Sequence, residues 1–66
     1  MEMGEALKLI EQVCKKMQKG KTVEETAESL EESEETIERI YKVALKYNAK
    51  IEDREKIYQE LDMLKN

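Results

Sequence analysis

The chain has 66 residues, of which 42% are charged and 39% are hydrophobic, and its formal net charge is −4. It contains one cysteine, two glycines and neither histidine nor proline. This composition excludes an internal disulfide, a Cys/His zinc site and histidine-dependent catalysis. No apolar run approaches the roughly 20 residues of a membrane span, and the N-terminus lacks the layout of a signal peptide, so we expect a reduced, cytoplasmic protein.

The charges are distributed unevenly along the chain. Residues 22–38 contain eight glutamates and no basic residue. The flanking segments 1–21 and 39–66 each carry a net charge of +2, from five basic against three acidic residues and from seven against five. Such an acidic run is typical of a solvated helix face, and it also favours a basic partner over nucleic acid.

The first predicted helix spans residues 3–19. Apolar residues recur there at positions 3, 6, 7, 10, 13, 14 and 17, which is the spacing of one helix face. Gly20 follows as a candidate left-handed residue that ends the helix.

Two further helices are predicted from their N-terminal capping residues. Thr22 and Glu25 form the T-x-x-E capping box, which predicts a helix over residues 23–31. Ser33 is a favourable N-cap for a helix over residues 34–47.

A fourth helix is predicted over residues 52–65, and Asn48 is the expected break before it because asparagine tolerates the left-handed conformation. The alternative is fusion of the third and fourth helices. The apolar positions 37, 44, 51 and 58 lie seven residues apart, as in a coiled-coil seam. Every segment is predicted to be helical, so the fold class is a small all-α domain of four helices.

The central pair of helices has the layout of a helix-turn-helix. Residues 22–40 place the small Ala27 where two helices would cross at a steep angle. Glu31 occupies the position where this motif usually has a glycine. A left-handed glutamate is strained, so the sequence predicts an altered or longer turn.

DNA binding through this pair is the alternative function. Glu34, Glu35 and Glu38 lie on the exposed first turns of the third helix, where they would oppose the phosphates that supply much of the binding free energy. The candidate DNA contacts are Lys19, Lys21, Thr36, Arg39, Lys42 and Lys46.

One stretch resembles a known family. The segment VCKKMQKGKTVEETAESLEESEETIERIYKVALKY, residues 13–47, resembles the C-terminal helical region of recombination-promoting nucleases, the PD-(D/E)XK nuclease-family transposases of Firmicutes type. Residues 19–41 carry most of this likeness, which covers about half of the chain, and MGEALKLIEQ resembles the helical lead-in of those proteins.

The resemblance implies a nuclease-associated accessory domain without catalytic residues. The chain has no proline, and none of its acidic residues is followed two positions later by lysine, so the catalytic motif of the family is missing. We therefore expect no enzymatic activity, no metal and no cofactor. The chain is expected to be a short form of that terminal domain, which could pair with a full-length nuclease of the family and modulate it.

Self-association is also expected, because a chain this short seldom stabilises itself through one core. A homodimer would bury the apolar stripe of the first or the fourth helix. The residues assigned to this interface are Leu7, Ile10, Cys14, Met17, Ile57, Tyr58, Leu61 and Leu64.

Overall fold

The computed structural model describes the backbone of residues 3–64 and the side chains of residues 4–61. Within that part, the protein is all-α and has no strand, as the sequence predicts. The helices are α1 (Met3–Gln18), α2 (Val23–Leu30), α3 (Glu34–Lys46) and α4 (Arg54–Leu64), and one turn of 3-10 helix, Ile51–Asp53, precedes α4. Each helix begins and ends within two residues of its predicted bounds.

The break between α3 and α4 is where the sequence predicts it. Asn48 and Ala49 both adopt left-handed backbone conformations, with φ of 56° and 54°. The Ala49 N–H donates to the carbonyl of Ala44 at 2.9 Å, which closes the end of α3. The two helices are therefore separate, and the fused coiled-coil alternative is wrong.

The turn between α2 and α3 differs from the prediction. It is short, with three residues between the helices, and Glu31 itself adopts the left-handed conformation at φ 56° and ψ 40°. The Glu31 N–H donates to the carbonyl of Glu28 at 3.3 Å, and the Glu32 N–H donates to the carbonyl of Ala27 at 2.9 Å. This is the bonding of a Schellman motif, which satisfies carbonyls at the helix end and offsets a conformational cost of about 1–2 kcal/mol. The predicted altered or longer turn is therefore wrong.

The hydrophobic core lies between α1, α3 and α4, and each of these helices packs on the other two. The most deeply buried apolar side chains come from these three helices: Ile10, Val13, Cys14, Ile37, Val43, Ala44 and Ile57. The helix α2 packs mainly on α3 and contributes only Thr26 and Ala27 as fully buried residues. It is thus the peripheral helix of the fold.

Among the described helices, none combines the length and the apolar character that crossing a bilayer would require.

Candidate functional site: the α2–α3 helix pair

Hydrogen-bonded N-terminal caps fix where α2 and α3 begin. The Glu25 N–H donates to Thr22 Oγ1, and the Thr22 N–H donates to Glu25 Oε1, both at 3.1 Å. These bonds form the predicted capping box, and the bond from the Thr22 N–H lowers the pKa of the Glu25 carboxyl. At the start of α3, the Thr36 N–H donates to Ser33 Oγ at 3.2 Å. Both predicted N-caps are confirmed.

A hydroxyl network joins α2 to α3. Thr26 is fully buried, and its Oγ1 lies 2.7 Å from the hydroxyl of Tyr41. The Tyr41 hydroxyl also donates to the carbonyl of Lys21 at 2.7 Å. Because a carbonyl can only accept, the Tyr41 proton is committed to Lys21, and Thr26 is then the donor to Tyr41. Sequence reasoning missed this network, since nothing in the local pattern relates residues 15 and 20 positions apart.

The exposed surface of the pair is dominated by carboxylates. All eight glutamates of residues 22–38 are exposed: Glu24, Glu25, Glu28, Glu31, Glu32, Glu34, Glu35 and Glu38. The first basic side chain after them, Arg39, donates to Glu35 Oε1 at 2.9 Å. Lys42 pairs with Glu38 at 3.5 Å. The cations on this part of α3 are therefore engaged by glutamates of the same helix.

The candidate DNA contacts on α3 are engaged within the chain. On α3, Arg39 and Lys42 are in the pairs just described, and Lys46 Nζ lies 3.0 Å from Glu60 of α4. Thr36 is half-buried, and its Oγ1 accepts a hydrogen bond from the Ser33 hydroxyl at 2.9 Å. The other two candidates, Lys19 and Lys21, are exposed in the turn between α1 and α2.

The residues assigned to a dimer interface fall into two groups. Ile10, Cys14 and Ile57 are 0–1% exposed within a single chain. The packing of α1, α3 and α4 on one another buries them, so their assignment to a partner surface is wrong and they are core residues. The remaining described members are half-buried and could still contact a partner: Leu7, Met17, Tyr58 and Leu61. The side chain of Leu64 lies outside the described residues.

One exposed apolar side chain was not singled out by the sequence. The apolar spacing of the third helix predicts an inward stripe of Ile37, Ile40, Tyr41, Ala44 and Leu45, but Leu45 is 64% exposed. In the described part of the chain, it is the large hydrophobic residue that projects most into solvent.

A second polar cluster links α3 to α4, and no sequence pattern indicated it. The hydroxyl of Tyr47 donates to Glu60 Oε2, and Lys46 donates to Glu60 Oε1 at 3.0 Å. The bonds from Tyr47 and Lys46 lower the pKa of the Glu60 carboxyl. The bond to Glu60, together with partial burial, raises the pKa of the Tyr47 hydroxyl.

Cys14 is an internal thiol of α1. Burial, together with the nearby Glu11 carboxylate, raises the pKa of this thiol, which keeps it in the protonated, unreactive form. Among the described side chains, no group of three or more His, Cys, Asp or Glu residues is arranged to hold a metal ion.

Comparison of the chain with protein-family models, with curated proteins and with solved structures finds no significant match.

Proposed function

We propose that this protein is a non-catalytic interaction and regulatory module, and that the exposed face of α2 and the first half of α3 binds a basic surface of a partner protein. The observation that carries the proposal is the set of eight exposed glutamates in α2, the turn after it and the first half of α3. Two of them, Glu35 and Glu38, are paired with bases of α3. Such a face attracts a cationic partner and speeds its encounter, because the potentials of the two surfaces are complementary.

The partner we propose is a full-length recombination-promoting nuclease, or a second copy of this chain. The support for the nuclease is the resemblance of residues 13–47 to the C-terminal helical region of that family. The support for self-association is the half-buried apolar surface of α1 and α4, which includes Leu7 and Leu61. The chain then acts by pairing, and no catalytic step is assigned to it.

Binding to the partner is tested by titration of the full-length nuclease with the intact protein. We expect Glu28→Gln and Glu32→Gln together to weaken the complex and its salt dependence, because they remove two exposed carboxylates from the face. The matched control is Glu52→Gln, an exposed carboxylate outside α2 and α3. Absence of association at micromolar concentrations would reject the proposed partner. Equal weakening of the complex by Glu52→Gln would reject the proposed face.

Self-association has its own test. Leu61→Glu places a charge on the half-buried surface of α4 and should dissociate a dimer. Light scattering measures this directly, and an unchanged dimer mass would reject the assignment of this surface. Circular dichroism of the same sample checks that the variant remains helical.

DNA binding stays a second candidate because α2 and the capped α3 are joined by a three-residue turn, which is the layout that the sequence predicts for a helix-turn-helix. A gel-shift titration across salt decides this case. Retained affinity with a steep salt slope would support DNA, and no shift at micromolar protein would reject it. A variant with Glu34, Glu35 and Glu38 changed to Gln removes three carboxylates that would oppose the phosphates, so it should bind DNA more tightly than the parent protein if α3 contacts DNA.

A further inference from the structure

Helix α2 is held to the rest of the molecule by a small set of contacts. It has eight residues, and an isolated helix of this length is not stable in water. Its extensive packing is with α3 alone, whereas α1, α3 and α4 all pack on one another. Only Thr26 and Ala27 of this helix are fully buried. The remaining attachment is the packing of the partly buried Val23 and Leu30 against the core, together with the hydrogen bonds of the Tyr41 hydroxyl with Thr26 and Lys21.

The charges on α2 act against its attachment. Glu28 and Glu31 lie at the C-terminal end of the helix, where the macrodipole is negative and where the last turn has no basic residue. The neighbouring first turn of α3 carries Glu34 and Glu35. Lys16 and Lys21 line an open cleft together with Glu25 and Glu28. No ion pair within 4 Å joins α2 to a base among the described residues, so the repulsion is only partly offset.

We propose that α2 opens as a unit from the body formed by α1, α3 and α4, and that cations control this opening by screening the carboxylates of α2 and the start of α3. At low ionic strength the repulsion is long-ranged and the opened state is populated more often. Added salt shortens the range of the repulsion and favours the docked helix. Opening separates α2 from α3, so the population of the intact α2–α3 pair depends on the ionic conditions. This holds whichever partner the protein has.

Native-state hydrogen exchange on the full chain tests the proposal. The probes are the helical amides of Ala27, Glu28 and Ser29, and the reference is the set of amides in the buried middle of α1. We expect the α2 amides to exchange through an opening that is more populated than the opening of α1. Between about 0.01 M and about 0.1 M salt, where the screening length falls from about 30 to about 10 Å, the protection of α2 should rise more than that of α1.

A charge variant makes the test specific. Glu28→Gln should raise the protection of α2 at low salt by about two-fold, the size expected for one unfavourable pair on a helix, and should reduce its salt dependence. Glu52→Gln removes an exposed carboxylate outside the pair and should leave the protection of α2 unchanged. Equal protection of α2 and α1 would overturn the independent opening. Equal salt dependence of α2 and α1, or equal effects of the two variants, would overturn its control by cations.

Discussion

The hydrogen bond between Thr26 and Tyr41 offers a quantitative test of how α2 is held. In Tyr41→Phe, the buried Thr26 hydroxyl loses the acceptor that lies 2.7 Å away, while the exposed carbonyl of Lys21 regains water. Leaving a buried polar group without its partner costs about 1–3 kcal/mol. In Thr26→Val, the Tyr41 hydroxyl keeps its bond to Lys21, so the cost is that of one ordinary hydrogen bond, about 0.5–1.5 kcal/mol.

The double variant should be less destabilised than the sum of the two single variants, because once Thr26 is valine nothing is left unpaired by Tyr41→Phe. We expect a coupling of about 1 kcal/mol, within the range observed for residues in one hydrogen-bonded network. The single core of a chain this short rarely supplies more than about 3–5 kcal/mol of stability, so the effect is a large fraction of the total.

Urea denaturation followed by circular dichroism measures all four free energies of unfolding in this cycle. Tyr58→Phe is the matched control, since among the described residues no hydrogen bond of the Tyr58 hydroxyl is seen and the ring also packs against the core. Additive effects of Thr26→Val and Tyr41→Phe, to within about 0.3 kcal/mol, would refute the direct bond. An equal loss in Tyr58→Phe would show that the effect of Tyr41→Phe does not come from the network.

Four further predictions concern the turn, the cap and the two ionisable groups of the α3–α4 cluster. Glu31→Gly should stabilise the protein by up to about 1 kcal/mol in urea denaturation, because glycine adopts φ near 56° without strain. Glu31→Ala removes the carboxylate but keeps the Cβ that causes the strain, so it should not match this gain. Ser33→Ala should lower the free energy of unfolding by about 1 kcal/mol, and a loss near zero would contradict the cap seen at the start of α3. Because the pKa of the Glu60 carboxyl is lowered in the folded state, the ionised carboxylate stabilises the fold at pH values above the unfolded pKa. This stabilisation is lost as the pH falls through the folded pKa, and Glu60→Gln should abolish that part of the acid dependence of thermal stability. The raised pKa of the Tyr47 hydroxyl predicts a second loss of thermal stability, at alkaline pH, as the pH rises through the folded pKa of that hydroxyl. Tyr47→Phe should remove this alkaline loss.

The fold could be predicted from the sequence because its signals are local. Thr22, Ser33 and Asn48 act through backbone groups within a few residues, and the structure confirms each of them. The turn at Glu31 was predicted wrongly because a propensity argument weighs one residue by itself. The bonds from two successive N–H groups to the end of α2 outweigh the strain of that residue, and they become visible only in three dimensions.

The candidate site was less predictable, and the apolar stripes show why. A stripe indicates that a helix face is buried, but not whether its own chain or a second copy buries it. Ile10 and Ile57 were therefore assigned to an interface, although α1, α3 and α4 bury them together. The contacts between distant residues, such as Tyr41 with Thr26 and Tyr47 with Glu60, have no pattern in the sequence that could reveal them.

The eight glutamates of the helix pair do not all need a functional explanation. Four of them lie in the first turns of their helices, Glu24, Glu25, Glu34 and Glu35, where a negative charge near the positive end of the macrodipole stabilises the helix. Glu38 pairs with Lys42. Glu28 and Glu31 gain nothing comparable, because they lie at the end of α2 where the macrodipole is also negative. These two carboxylates destabilise the C-terminal end of α2, and a basic partner or screening cations would reduce that destabilisation.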